Sequence, residues 1–517
     1  MPRPDNPSHR PHTQADRRVA PGSSPSDDTF EDERESAGGP RLAVTNAREA
    51  AFVVLEMVRE QASWVGRAWE QVLANAALNP ADRSLSRELA FGVIRREITL
   101  DAILSKLVKR PLVDIEPALK SILHLGLYQI LFADQIPPHA AVHETVELAK
   151  KAGRLRWGGF VNGILRATTR LCTDEFTDTA AANALPVGPA HLSLASADGE
   201  QSPAPIEVSP SPLRFRVLTE AIFPDPNQDF QNYFQQAYGY PYWLAARWGQ
   251  RWSPEVLHRL GQWQRAPAPI FLRVNLLKTT RADLLARFQA AGLHTAPETL
   301  PEAVRVLSGG RIEQWPGYDE GLFSVQDLSA MHAARRLAPT PGSLVLDLCA
   351  APGGKSCHLA ELMLDKGGVV AVDIMPGRLD RIVVNAARLQ LKAVQAVLSA
   401  ADGHDLPRGP FDFILADVPC SNTGVISRRP EVPRNLTPAS MTELSQLQRE
   451  LLHRAADRVR IGGRLLYSTC SIEPEENEQV VQPFLAQRPE FRLIKSELLL
   501  PGSPADGGFQ ALLERTA

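Results

Sequence analysis

What most constrains the fold of this chain is a rhythm that begins at Ser343, in which a short apolar strand, a loop and a helical stretch follow one another repeatedly. Leu344-Val345-Leu346, Gly368-Val369-Val370-Ala371-Val372, Ala393-Val394-Gln395-Ala396-Val397-Leu398, Phe413-Ile414-Leu415 and Arg464-Leu465-Leu466-Tyr467 read as strands. Short apolar strands alternating with helices predict a mainly parallel, doubly wound α/β sheet of Rossmann-like form, covered on both faces, over residues 326–517. In such sheets ligands bind beyond the carboxyl ends of the strands, where the loops open. That rule says where to look for chemistry.

At 517 residues the chain is too long for one core, and the rest of it divides by pattern. Residues 41–171 carry apolar side chains at helical spacing, as in Ala47, Ala51, Val54, Leu55 and Val58, and again in Leu119, Ile122, Leu123, Leu127, Ile130 and Leu131. They predict an all-α domain, punctuated by Pro80, Pro111 and Pro137-Pro138, with Asn79-Pro80-Ala81-Asp82 turning into a new helix. Residues 172–212 are rich in Ala, Ser and Pro and lack Lys and Arg, which predicts a disordered linker; residues 1–40 predict a disordered tail. Between linker and sheet, residues 213–325 predict an accessory module: amphipathic helices around 228–264, strands at 270–275 and 303–307, and a helix at 281–292.

Composition narrows the function classes. No apolar run reaches the roughly 20 residues of a membrane helix, and the first 40 residues lack the apolar centre of a secretory signal, so no membrane partner and a cytoplasmic location are expected. Five scattered cysteines with no CxxC pair argue against a disulfide framework and against a zinc ribbon, so no metal is expected. The net charge of −3 is unevenly spread: residues 41–170 hold 18 Lys and Arg against 13 Asp and Glu, whereas residues 171–212 hold none against 6. The acidity thus sits largely outside the segments expected to fold, and an RNA partner remains compatible with the chain.

The first strand of the sheet runs into Asp347-Leu348-Cys349-Ala350-Ala351-Pro352-Gly353-Gly354-Lys355 and then a helix. Small residues there let a ligand approach the backbone, and the helix start offers free amides. The second strand ends at Asp373, placed to accept ribose hydroxyls, and Asp402-Gly403 follows the third, where an adenine amino group would be met. Asp373 also suits a helix cap and Asp402 an ordinary turn. The combined pattern predicts a nucleoside-type cofactor. Strand four leads into Asp417-Val418-Pro419-Cys420-Ser421 and strand five into Ser468-Thr469-Cys470-Ser471, so two thiols reach one crevice. A thiolate adding to carbon 6 of cytosine makes carbon 5 nucleophilic; a second thiol nearby could help remove the carbon 5 hydrogen, and Asp417 is placed to assist at ring nitrogen 3. Residue chemistry alone leaves open which thiol attacks. Cys172 and Cys357 read as packing residues.

Asp347 to Lys355, Asp417 to Ser421 and Tyr467-Ser468-Thr469-Cys470-Ser471-Ile472-Glu473-Pro474-Glu475-Glu476-Asn477 resemble the motifs of the RsmB/NOP2/Sun family of RNA 5-methylcytosine methyltransferases. The resemblance extends to Leu272-Arg273-Val274-Asn275, Phe323-Ser324-Val325-Gln326-Asp327 and Gly508-Phe509. Residues 41–170, with Gly159-Phe160-Val161-Asn162-Gly163-Ile164-Leu165-Arg166, are similar to the NusB-like domain of the RsmB-type branch. The resemblance implies S-adenosylmethionine as cofactor, small-subunit (16S) ribosomal RNA as partner, an RNA-recognition-like accessory module and a monomer. It implies that Cys349, Ala350, Ala351, Pro352, Gly353, Gly354, Lys355, Asp373, Asp402 and Asp417 contact the cofactor or the target base, that Cys470 is the nucleophile and that Cys420 promotes release.

One departure stands out: after Ile426 the chain reads Arg428-Arg429-Pro430-Glu431-Val432-Pro433-Arg434 where relatives carry a Lys-Trp-Arg type segment. These three arginines are candidates for holding phosphates. Competing readings are a transfer-RNA cytosine methyltransferase, a non-catalytic NusB-like assembly factor, and a dinucleotide oxidoreductase, the last opposed by the missing GxGxxG.

Overall fold

The computed structural model describes residues 42–61, 63–152, 155–187, 213–307, 310–502 and 505–517. Its amino-terminal part is helical, with helices at Ala47–Gln61, Val65–Ala74, Pro80–Leu107, Pro117–Phe132, Pro138–Lys151 and Trp157–Leu171. Proline opens three of them, because the first helical position needs no N–H and a fixed φ suits it. Asn79 caps the third helix by accepting from the Asp82 amide, as its turn signal predicts. The apolar helix Pro117–Phe132 runs through the middle, and it approaches so closely that a side chain at Gly92 would lie 2.0 Å from the Tyr128 ring.

The predicted linker needs correction at its start. Strands β1 (Cys172–Thr177) and β2 (Ala184–Pro186) pair with β3 (Phe215–Leu218) in an antiparallel sheet ordered β1-β3-β2. Leu185, Phe215 and Leu218 are buried, so a few apolar side chains, one of them within the Ala/Ser/Pro-rich stretch and two after it, order residues whose average composition reads as unfoldable. The remainder of the predicted linker, 188–212, and the tail 1–40 lie outside the described residues. The accessory module also divides. Helices Phe230–Tyr238, Tyr242–Gly249 and Pro254–Gln264 share one apolar core with the amino-terminal helices, a core that also takes in Ile426, Val432 and Ile472 from the far end of the chain. The module's own sheet, β4 (Ile270–Val274), β5 (Thr295–Pro297), β6 (Ala303–Val306) and β7 (Phe323–Val325), is ordered β5-β6-β4-β7 and covers a separate core with the helix Arg281–Ala290.

The carboxyl-terminal sheet contains β8 (Leu344–Leu348), β9 (Gly368–Asp373), β10 (Val394–Leu398), β11 (Phe411–Asp417), β12 (Val459–Thr469), β13 (Phe491–Leu499) and β14 (Gly508–Arg515). Its order is β10-β9-β8-β11-β12-β14-β13, parallel except for the last two strands, which pair antiparallel at one edge. The order reverses between β8 and β11, and a crevice opens at such a switch point. Leu348 pairs with Ala416 and Asp417 with Ser468, so the loops after β8, β11 and β12 leave the sheet side by side.

Candidate active site

The loop after β8 is shaped by its backbone. Cys349 has φ +60° and Gly353 φ +92°, and a side chain at Gly353 would lie 3.1 Å from the Ile382 backbone, so the position favours glycine by conformation and by space. Side chains hold the loop's carbonyls: Arg378 donates to Ala351 (3.1 Å) and Asn385 to Pro352 (2.9 Å). Asp373, buried at the end of β9, accepts from the Ala351 amide (3.2 Å) and the Met375 amide (3.1 Å). It therefore fixes the loop and also caps the turn into the helix Pro376–Leu389. Beside it Ile374 stands half exposed. Asp402 is placed differently: it is exposed and closes its own turn on His404, with contacts of 2.6 Å to the ring and 3.2 Å to the amide.

Beneath the loop Asp347 is buried, takes a hydrogen bond from Ser356 (2.5 Å), and leaves its Oδ1 without a partner. Burial pushes its carboxyl up to about 7. A buried acceptor with unspent capacity, a glycine cradle and free amides at the start of the helix Gly354–Leu362 fit a ligand carrying an ammonium and a carboxylate.

The loops after β11 and β12 bring the thiols together. Cys420 Sγ lies 2.7 Å from Cys470 Sγ and accepts from the Cys470 amide (3.2 Å); both thiols are free. Cys470 is partly exposed and its Sγ donates to Asn422 Oδ1 (3.1 Å). Asn422 reaches it by adopting φ +61°, a conformation asparagine tolerates better than most residues. Cys420 is buried, and burial pushes its thiol well above the usual range, with the Cys470 sulfur adding to the shift. Burial pushes Cys349 and Cys357 up to about 12, which leaves them unreactive. Lys355 donates to Asp417 (2.6 Å). Burial works against the Lys355 ammonium, but Asp417 and then Cys470 are among the groups that favour it, and its pKa is raised.

Behind the thiols sits a buried carboxylate whose role the sequence did not reveal. Glu476 accepts from the Ser421 amide (2.8 Å), the Gln448 amide group (2.9 Å) and the Ser421 and Ser471 hydroxyls, tying the two thiol loops to each other. Glu473 is fully buried and accepts from Arg247 (2.6 Å) and the Trp248 indole (2.8 Å); Gln264 donates to the Thr423 carbonyl (2.8 Å). The arginines proposed for phosphates are spent elsewhere. Arg428 pairs with Asp506 and with Asp327 (2.8 Å), Arg429 lies over the Trp64 ring at 5.0 Å, and Arg434 faces Glu97 at 3.5 Å. In place of a substrate-facing segment, this stretch packs against the amino-terminal helices.

Comparison with known proteins agrees with this layout. Residues 334–508 match the model of 16S rRNA methyltransferase RsmB/F, residues 45–170 that of the NusB family, and residues 240–313 that of the ferredoxin-like domain of RsmF/B-like methyltransferases. The chain is 34% identical over 452 residues to the probable ribosomal RNA small subunit methyltransferase B of Synechocystis, covering 86% of this chain and 90% of that one. It is 34% identical over 475 residues to ribosomal RNA small subunit methyltransferase B of Klebsiella pneumoniae, covering 90% and 94%. The crystal structure of PH0851 shares the fold with a TM-score of 0.67 at 22% identity, over 91% of this chain and 99% of that one. Among the described residues no helix is long and apolar enough to cross a membrane, and no cluster of His, Cys, Asp or Glu is arranged to hold a metal.

Proposed function

We propose that this chain, which belongs to the RsmB/F family of 16S ribosomal RNA methyltransferases, methylates carbon 5 of a cytosine in that RNA through a covalent bond to Cys470. The observation that carries this reading is the contact of two free sulfurs at the switch point of the sheet, beside the Lys355–Asp417 pair. S-adenosylmethionine, held by residues 349–355 with Asp373 and Asp402 along the strand ends, supplies an electrophilic methyl group when bound.

The thiols are unequal in the structure. Cys470 is the more exposed, the Lys355 ammonium is close enough to act on its sulfur, and its Sγ contacts both Cys420 and Asn422. It is the nucleophile that adds to carbon 6. For the adduct to be neutral, ring nitrogen 3 gains the proton that the Cys470 thiol gives up, and Asp417, the carboxylate oriented by Lys355, is the group placed to carry it. After carbon 5 is methylated its hydrogen leaves as a proton while the carbon–sulfur bond breaks. Cys420 takes that proton after its own has passed to solvent, and the proton on ring nitrogen 3 returns to the departing Cys470 sulfur; burial makes Cys420 a poor resting nucleophile, yet a strong base once deprotonated. The target base must leave its stack to reach the crevice.

The test is the fate of the RNA with each cysteine removed. Cys420→Ala should accumulate a protein–RNA species that survives denaturing electrophoresis, while Cys470→Ala forms none and yields no 5-methylcytosine by nucleoside mass spectrometry. An adduct formed by Cys470→Ala would reverse the two roles.

A further inference from the structure

We propose that Arg273, on a strand of the accessory module, is a positioning residue for binding of the methyl donor. The inference rests on the donor reading above. Arg273 is fully buried between the accessory sheet and the helix Gly354–Leu362. Its Nε and Nη2 grip the two oxygens of Glu361, at 3.0 and 2.8 Å, and its Nη1 donates to the Gly354 carbonyl at 2.8 Å and to Gln326.

The Gly354 contact matters because of peptide geometry. The carbonyl of one residue and the N–H of the next lie in one plane and point in opposite directions. Holding the Gly354 oxygen toward the accessory module therefore aims the Lys355 amide the other way. That amide belongs to the first helical turn, whose N–H groups have no partner within the helix and are the ones a donor's carboxylate would use.

Three consecutive residues of this turn are anchored to three different strands: Gly354 to Arg273 on β4, Lys355 to Asp417 on β11, and Ser356 to Asp347 on β8. The first tie comes from outside the catalytic sheet, so the accessory module takes part in building the donor pocket. Glu361 alone would account for burying a guanidinium. It does not account for the third nitrogen reaching the start of the helix.

The experiment is titration calorimetry of the full chain with S-adenosylmethionine, with RNA binding and melting temperature measured alongside. In Arg273→Lys the fork geometry is lost, and donor affinity should fall by about tenfold or more, the scale of one charge-assisted hydrogen bond, with RNA affinity unchanged and the KM for donor rising more than kcat falls. Glu361→Gln removes the ion pair but leaves the Gly354 contact available, and should lower the melting temperature while keeping donor affinity near that of the unaltered protein. If Arg273→Lys binds donor normally well below its melting temperature, or if Glu361→Gln loses donor to the same degree, Arg273 is only a packing residue. If the unaltered protein binds no donor, the functional reading itself fails, and the Arg273 variants are not its cause.

Discussion

The loop after β8 and the two thiol loops lie side by side, yet they are held in place by different means. The first is built locally: a glycine favoured by conformation and by space, small residues, and an aspartate from the neighbouring strand gripping its amide. The thiol loops are built from far away. Glu473 and Thr423 are held by Arg247, Trp248 and Gln264, side chains more than 150 positions earlier in the chain, and Ile472, Ile426 and Val432 are packed into a core made mostly by the amino-terminal helices. The difference teaches that the loop after β8 is shaped mainly by its own sheet, with one tie from the accessory module at Gly354, whereas the meeting of the two thiols depends on the whole molecule.

Replacing Glu476 by Ala is the severest way to probe that contrast. It leaves the Ser421 amide, two hydroxyls and Gln448 without their acceptor, and the destabilisation should be on the order of 3 kcal/mol, read as a lower melting temperature. Because small displacements of a nucleophile are costly, kcat should fall about 100-fold while donor affinity stays near normal. Equal loss of donor binding would show that the two loops are not mechanically separate.

Arg247→Ala asks the same of the distant support. Glu473 keeps Trp248 and a longer contact to Arg251, so the expected loss in kcat is smaller, about tenfold, again with donor affinity spared. An unchanged kcat would mean the distant helices are scaffolding for stability alone.

The mildest effect is expected on the donor side. Asp347 has a carboxyl raised from 3.8 to about 7, so the folded state holds a proton that the unfolded state releases. Stability from this group is greatest in acid, falls as pH rises between those two values, and stays reduced above about 7. Asp347→Asn should therefore raise the melting temperature by a few degrees at pH 8 and leave it unchanged near pH 4. A gain that is the same at both pH values would remove the titration from the explanation.

The sequence made the site legible where chemistry is local. Asp347 to Lys355, Asp417, Cys420 and Cys470 lie at or just past strand ends, and strand register sets those ends side by side. The doubly wound sheet was legible for the same reason, since each apolar strand announces itself. What stayed hidden depends on pairing across long separations. Leu185 and Phe215 order a small sheet only once they meet, and their flanking composition gives no sign of it. Arg428 reads as a free cation until Asp327 and Asp506 are seen to claim it. Glu473 and Glu476 sat within a recognised motif, but their purpose as buried anchors appears only with the serines, the glutamine and the distant arginine around them.

The apolar cluster that begins near Ala50 and is completed by Ile472 has a consequence for biogenesis. A nascent chain emerges from its amino end, so the helical half is made long before the residues that finish covering it. Until the segment that carries Ile472 has been synthesised, that half lacks part of its apolar cover and the Cys420–Cys470 pair is not assembled. Assembly of the candidate site thereby waits for residues made long after the helices that hold them.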